Sequence, residues 1–190
     1  MSGPVQTRSG HWPGRVSLGL HWGVGFGVLG LIAFGFWLRT VSGGPDKTAL
    51  VQIHKSFGVI VFVLALARVA WRVREGFPAP AGPHAAWERR SAIALHVFLV
   101  VATLLMPISG ILRSLAYARP VSVFGLPVIP KLFEAKHETL YALAANLHDG
   151  LALALSAALA LHVGAALKHH WVDRDGTLLR ILGLHREGKP

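Results

Sequence analysis

Two histidines, His148 and His162, stand fourteen residues apart in a stretch made almost wholly of Leu, Ala, Gly and Ser. At about 100° per residue, fourteen helical steps turn through roughly 1400°, some 40° short of four full turns, so both imidazoles leave one face of a helix. At about 1.5 Å per residue they lie roughly 21 Å apart along the axis, which puts one in each half of a hydrocarbon core about 30 Å thick. Ionisable groups in a membrane helix are costly and usually functional. Either the rings bond to neighbouring helices, or this helix ligates two stacked redox centres, one per leaflet; the second reading accounts for the shared face.

The rest of the chain supplies what must position them. Of 190 residues, 53% are hydrophobic and only 15% charged, well below the ~25% charged of a soluble domain. Four long apolar segments imply one integral membrane domain. The first spans residues 17–38 and carries His21, and the second spans about 50–71 and carries His54 near its start. The third spans about 91–116, with His96 near its start and Pro107, an expected kink, inside it. The fourth begins between residues 132 and 140 and runs to about Trp171, longer than a bilayer needs. Gly43-Gly44-Pro45-Asp46 is turn chemistry, and the proline-rich residues 77–83 are a non-helical link. Residues 117–136, with Pro120, Pro127 and Pro130, are an interfacial segment, and both ends of the chain are polar tails. No cleavable signal peptide is expected, because the first apolar segment is too long and is followed by Arg39-Thr40-Val41-Ser42.

The formal charge of +10 does not point to nucleic acid, because the basic residues fall in short segments between apolar spans. Eleven lie on one side: Arg8, Arg15, Arg72, Arg74, Arg89, Arg90, Lys168, Arg174, Arg180, Arg186 and Lys189. Seven lie on the other: Arg39, Lys47, Lys55, Arg113, Arg119, Lys131 and Lys136, opposed by Asp46, Glu134 and Glu138. The richer side is expected to be cytoplasmic, with both termini inside. His21, His96 and His162 then lie in the inner half, and His54 and His148 in the outer half. Depth alone pairs His54 with His148, and His162 with either His21 or His96.

Two facing imidazoles can fill both axial positions of a haem iron, and bundle cores hold such cofactors. A closed iron favours electron transfer over oxygen binding. Competing metals fit less well. A di-iron bundle needs two Glu-x-x-His motifs and two further glutamates, whereas this chain has one, ending at His137 near a membrane surface. Zinc sites gather ligands at close spacing. With no cysteine, disulfides, iron–sulfur clusters and covalent c-type haem are excluded.

Several motifs agree in order and spacing: Leu20-His21-Trp22, Ile53-His54-Lys55, Leu95-His96, Leu161-His162-Val163 and Lys168-His169-His170-Trp171. Asp173-Arg174-Asp175-Gly176-Thr177-Leu178-Leu179-Arg180 and Arg119-Pro120-Val121-Ser122-Val123-Phe124-Gly125-Leu126 extend the pattern. Across about residues 14–182 the chain resembles the bacterial cytochrome b561 family. That resemblance implies an all-α, four-transmembrane-helix bundle in the bacterial inner membrane, with two non-covalent b-type haems. It also implies that the first and fourth helices ligate the inner haem and the second and fourth the outer one, which selects His21 with His162 and His54 with His148. The chain then divides into a cytoplasmic tail (1–16), a four-helix di-haem cytochrome b domain (17–172) and a second cytoplasmic tail (173–190). The family often carries His-Glu at the outer ligand, and His137-Glu138 matches that wording. However, His137 lies 25 residues from His162, roughly 37 Å along a helix and more than the hydrocarbon thickness, so spacing selects His148.

Other residues remain open between two uses. Arg68 lies fourteen residues after His54; it either pairs a haem propionate or snorkels to the surface. His169, beyond His162 on nearly the same face, either bonds a quinone headgroup or meets lipid headgroups. His96 is either a supporting or quinone-site group, or a bonded core histidine. His11, His84 and His185 are solvated, and Trp12, Trp22, Trp37, Trp71, Trp87 and Trp171 anchor span ends. The resemblance implies an oxidoreductase that takes electrons from superoxide at the outer face and passes them to ubiquinone. An anchor subunit relaying electrons between a partner dehydrogenase and quinone is the second reading. A transporter with pore histidines is the third, and it implies no haem.

Overall fold

The computed structural model describes residues 14–76 and 85–184. The proline-rich link, His11, His84, His185, Trp12, Arg8, Arg186 and Lys189 lie outside the described residues. Four long helices follow one another: α1 (Arg15–Thr40), α2 (Pro45–Glu75), α3 (Ala86–Ala116) and α4 (Glu138–Trp171). All four are long and apolar enough to cross a membrane, as expected from the four apolar segments. A two-stranded hairpin, β1 (Val121–Val123) and β2 (Leu126–Ile129), separates α3 from α4, and a short α5 (Thr177–Ile181) follows α4.

The helices run past their apolar cores. Helix α2 starts at Pro45, so the Pro45-Asp46 expected in a turn forms its first turn instead. Proline at this position loses no intrahelical bond, and Asp46 favours the positive helix end. Helix α3 is continuous through Pro107. His137 is the N-cap of α4, its Nδ1 accepting from Leu140 N–H at 3.3 Å.

Side-chain contacts fix which ends lie together. Gly14 N–H donates to Glu75 Oε1 at 3.2 Å and Arg72 Nη2 to Ser17 Oγ at 2.8 Å, joining the start of α1 to the end of α2. Lys168 Nζ meets Glu88 Oε1 at 3.2 Å, joining the end of α4 to the start of α3. Trp22 Nε1 donates to Ile181 O at 2.8 Å and draws α5 onto this same end. The tail expected after Trp171 therefore folds back, with Asp175 Oδ1 capping α5 through Thr177 N–H at 2.8 Å.

At the opposite end the interfacial segment is a β-hairpin, which the sequence reading did not foresee. Val123 pairs with Leu126, and Phe124 and Gly125 turn the chain with φ of 48° and 88°, the left-handed pair that a two-residue hairpin requires. Phe124 N–H donates to Ser56 Oγ at 2.9 Å, and Lys55 Nζ donates to Pro120 O at 3.1 Å and Ser114 Oγ at 2.9 Å. The two residues after His54 thus bind the hairpin to α2.

The buried core is small and sits between the helices: Val24, Val28, Val61, Ala65, Ala102 and Leu155. Large apolar side chains such as Phe26, Val63, Val101 and Leu161 face outward instead, as lipid-facing residues do. Small residues let the backbones approach, as membrane helices require: a Cβ on Gly27 would meet Val61 Cγ2 at 2.6 Å.

Candidate functional site

Within this bundle a seven-residue step organises the interior. His21, Val28 and Gly35 follow one another at that interval on α1; His54, Val61 and Arg68 on α2; and His148, Leu155 and His162 on α4. Ala102 and Ser109 share the interval on α3. Seven helical residues turn about 700°, within 20° of two full turns, so each series keeps one face. Val28, Val61, Ala102 and Leu155 are all buried, and form an apolar layer at mid-depth. Above and below that layer the histidines meet in pairs.

At one level His54 faces His148, with ring centroids 6.4 Å apart. His148 Nδ1 lies 3.1 Å from Met106 O and 3.0 Å from Ser109 Oγ. A carbonyl only accepts, so Nδ1 carries the proton, which leaves Nε2 with its lone pair free. Gly110 stands behind the ring: a Cβ there would lie 3.1 Å from His148 Cε1 and 3.4 Å from Nδ1. Gly35 does the same for His54, where a Cβ would lie 3.3 Å from Cε1. Both rings therefore occupy space that a side chain would take. His54 Nδ1 is buried and has no hydrogen-bond partner among the described residues. The space beside this pair is lined by Val28, Ile32, Val61, Thr103 and Pro107 among others.

At the other level His21 faces His162 at 6.3 Å. Arg68 reaches this pair, its Nη2 lying 3.1 Å from His21 Nδ1. His96 also touches His162, but at 5.2 Å and edge-on, with its own Nδ1 2.6 Å from Ala92 O. His96 is thus a bonded helix histidine resting against the pair. His137 stays at the α4 cap, away from both pairs. His169 Nδ1 lies 2.9 Å from Asp173 Oδ2 and 3.1 Å from Asp175 Oδ2, so it belongs to the network that folds α5 back.

The family model described as prokaryotic cytochrome b561 matches residues 12–184. The chain belongs to the prokaryotic cytochrome b561 family. It is 36% identical over 174 residues to cytochrome b561 homolog 2 of Escherichia coli (strain K12), a match covering 90% of each chain. It is 31% identical to cytochrome b561 homolog 1 of the same organism, over 74% of this chain and 78% of that one. It is 30% identical to the probable superoxide oxidase CybB of Yersinia pestis, over 88% of this chain and 93% of that one. As a cytochrome b561 with four membrane-spanning helices, it is a multi-pass protein of the bacterial inner membrane that binds haem b and transfers electrons.

Haem fits the residues present. An imidazole nitrogen sits about 2.0–2.1 Å from a transition metal, and the ring centroid roughly 1.1 Å farther, so two axial imidazoles hold their centroids about 6.3 Å apart. The 6.3 Å and 6.4 Å pairs have that spacing, and the 5.2 Å contact of His96 is too short for it. The Nδ1–H of His148 on a backbone carbonyl is also the usual support of a metal-ligating histidine.

At the hairpin end of the bundle, three of the seven basic residues are held by carboxylates. Lys131 is held by Glu134 and Lys136 by Glu138, and Arg113 by Asp149 at 3.3 Å. Glu138 holds the Lys136 ammonium above its ordinary pKa. Asp149 is therefore a fourth carboxylate at this end, beside Asp46, Glu134 and Glu138, and lowers the excess expected from sequence. Arg39, Lys47, Lys55 and Arg119 make no ion pair with a carboxylate among the described residues; Lys47 Nζ donates to Val41 O at 2.8 Å and Arg119 lies over Tyr117 at 4.2 Å.

Proposed function

We propose that the protein is a di-haem b cytochrome that oxidises superoxide at the periplasmic face and reduces ubiquinone in the membrane. His21 and His162 hold the inner haem iron, and His54 and His148 the outer one. The observation that carries this reading is the pair of imidazole couples, 6.3 Å and 6.4 Å across, fourteen residues apart on one face of α4. The four-helix domain runs over residues 17–172 with cytoplasmic tails on either side, because the end richer in Lys and Arg faces inward.

Bound haem would supply one-electron redox chemistry. The chain does the rest. Lys55 and Arg119, beside the outer pair, attract a small anion. The Val28, Val61, Ala102 and Leu155 layer keeps water from the interval between the two levels. Arg68 is a partner for a propionate of the inner haem, and His169 for a quinone headgroup at the inner surface. Each superoxide gives up one electron and leaves as oxygen; two electrons and two protons convert the quinone to quinol. The relative named a probable superoxide oxidase supports this choice of donor.

A relay subunit docked on a dehydrogenase is the second reading. The outer hairpin supports it by exposing Phe124, Leu126 and Val128, a surface fit for a partner. One experiment separates the two. Under the first reading the purified, oxidised protein shows haem b bands and is reduced by superoxide. Superoxide dismutase suppresses that reduction, and ubiquinone reverses it. Raising the salt slows it, because the steering is electrostatic. Reduction only in the presence of a dehydrogenase selects the relay, and a protein without haem bands sinks both.

A further inference from the structure

The hairpin between α3 and α4 carries the reverse of a water-facing pattern. From Pro120 to Pro130 there is no charged residue. An antiparallel sheet with one face on the protein normally has polar side chains on the other. Here Val121 is buried at 1% exposure, while Phe124, Leu126 and Val128 stand out at 58%, 73% and 56%. Leu126 and Val128 lie two residues apart and so share one face of β2. Edge strands in water are usually guarded by charged side chains, and neither strand has one.

The backbone suits a dry setting as well. Pro120, Pro127 and Pro130 have no N–H to leave unbonded. Phe124 N–H donates to Ser56 Oγ at 2.9 Å, and the Ser56 hydroxyl donates to Gln52 O at 2.8 Å. Pro120 O accepts from Lys55 Nζ at 3.1 Å. Such pairing matters most where no water can replace a missing bond.

The outward face also joins a lipid-facing stripe. Phe124 meets Phe57 edge-on, with ring centroids 5.3 Å apart. Phe57 shares a face of α2 with Ile53 and Ile60, all three exposed on a helix long and apolar enough to cross a membrane. The tie at Ser56 lies roughly 9 Å along α2 from Leu50, where the apolar segment begins.

We infer that Phe124, Leu126 and Val128 form a lipid-binding surface, seated among the acyl chains of the leaflet at the hairpin end of the bundle. Arg119 and Lys131, at the two roots of the hairpin, then lie at headgroup level. The hairpin closes the lipid side of α2 at Lys55 and Ser56, the two residues after His54. This surface is independent of the haem ligands and of the electron donor. A protein docked on the same face is the competing occupant.

The chain has no cysteine, so one introduced thiol reports on one place. Leu126→Cys and Val128→Cys are made in the full-length protein and placed, one copy per disc, in nanodiscs of phosphatidylethanolamine and phosphatidylglycerol. Both faces of such a disc meet water. The probe is a membrane-impermeant sulfonated maleimide, which reacts with the thiolate and so needs a wet thiol. Asp46→Cys, exposed in the first turn of α2 at the same end, is the wet standard. Val63→Cys, exposed at mid-helix on α2, is the dry one. Both hairpin thiols should react at least about tenfold more slowly than Asp46→Cys, and all four alike after denaturation in dodecyl sulfate. No second protein covers the face in a single-copy disc, so slow labelling leaves lipid as its cover. A smaller difference at Leu126→Cys overturns the inference and returns the face to a protein partner. Val128→Cys decides by the same criterion if Leu126→Cys does not fold.

Discussion

Gly110→Ala perturbs the His54–His148 pair, proposed above to hold the outer haem, without replacing either histidine. The added methyl would lie 3.1 Å from His148 Cε1 and 3.4 Å from Nδ1, against an optimum of about 3.5–4.0 Å between carbons. The ring must retreat by roughly half an ångström. It has little freedom, because Nδ1 is held at 3.1 Å by Met106 O and 3.0 Å by Ser109 Oγ. Overpacking of this kind costs about 1–3 kcal/mol. The cost falls on the His54–His148 pair, whose ring centroids lie 6.4 Å apart. Outer haem affinity should therefore drop about tenfold to a hundredfold, at about 1.4 kcal/mol per decade. The assay is the haem-to-protein ratio of purified protein after graded washing, with the visible spectrum reporting which haem is lost. Gly164→Ala is the control: a Cβ there meets nothing within 4 Å. Equal retention of both haems in Gly110→Ala and the control would refute the claim that this glycine makes room for the ring.

The shared helix makes a paired prediction: His148→Ala loses mainly the outer haem and His162→Ala the inner one, whereas His137→Ala, at the α4 cap, keeps both. Two haems retained in either of the first two variants, or one lost in the third, would show that the ligands are misassigned; haem-to-protein ratio reads all three. His169→Ala should keep both haems and slow their oxidation by ubiquinone in stopped-flow mixing. Unchanged quinone kinetics in a fully loaded variant would leave His169 as a tie for α5, with Asp173 and Asp175.

The parts of this molecule that were legible from sequence are those that repeat along one helix. The fourteen-residue interval of His148 and His162 needs only helix geometry, and so does Arg68 at the same interval from His54. What escaped depends on a second helix. Gly110, Ser109 and the Met106 carbonyl matter because α3 happens to pass behind His148, and nothing local to α3 announces that. Asp149 was left out of the charges counted at this end from sequence, yet it meets Arg113 across the α3–α4 contact. The hairpin was missed because its strands have three and four residues, one of them with Pro127 inside, too short for an alternating pattern to register. Helix α5 has five residues and no periodicity of its own. Its tie to Trp22 and the Asp175 cap mark it in the fold, and of these only the Asp-Gly-Thr turn is visible in the sequence.

The seven-residue step also explains why one chain of this length can build two sites with different properties. A helix face that repeats every seven residues crosses the bundle at three levels, and in each series the middle residue falls in the apolar layer: Val28, Val61 or Leu155. The end positions are then free to differ between helices. Helix α4 puts histidine at both ends. Helix α1 puts histidine at one and glycine at the other, and α2 puts histidine opposite arginine. The two levels thus share α4 but take their second imidazole from different neighbours, and the helix that does not supply the imidazole supplies the surroundings: Gly35 beside His54, and Arg68 beside His21. A change at Gly35 or Arg68 should therefore act on one level alone, because the layer holding Leu155, fully buried between them, belongs to neither.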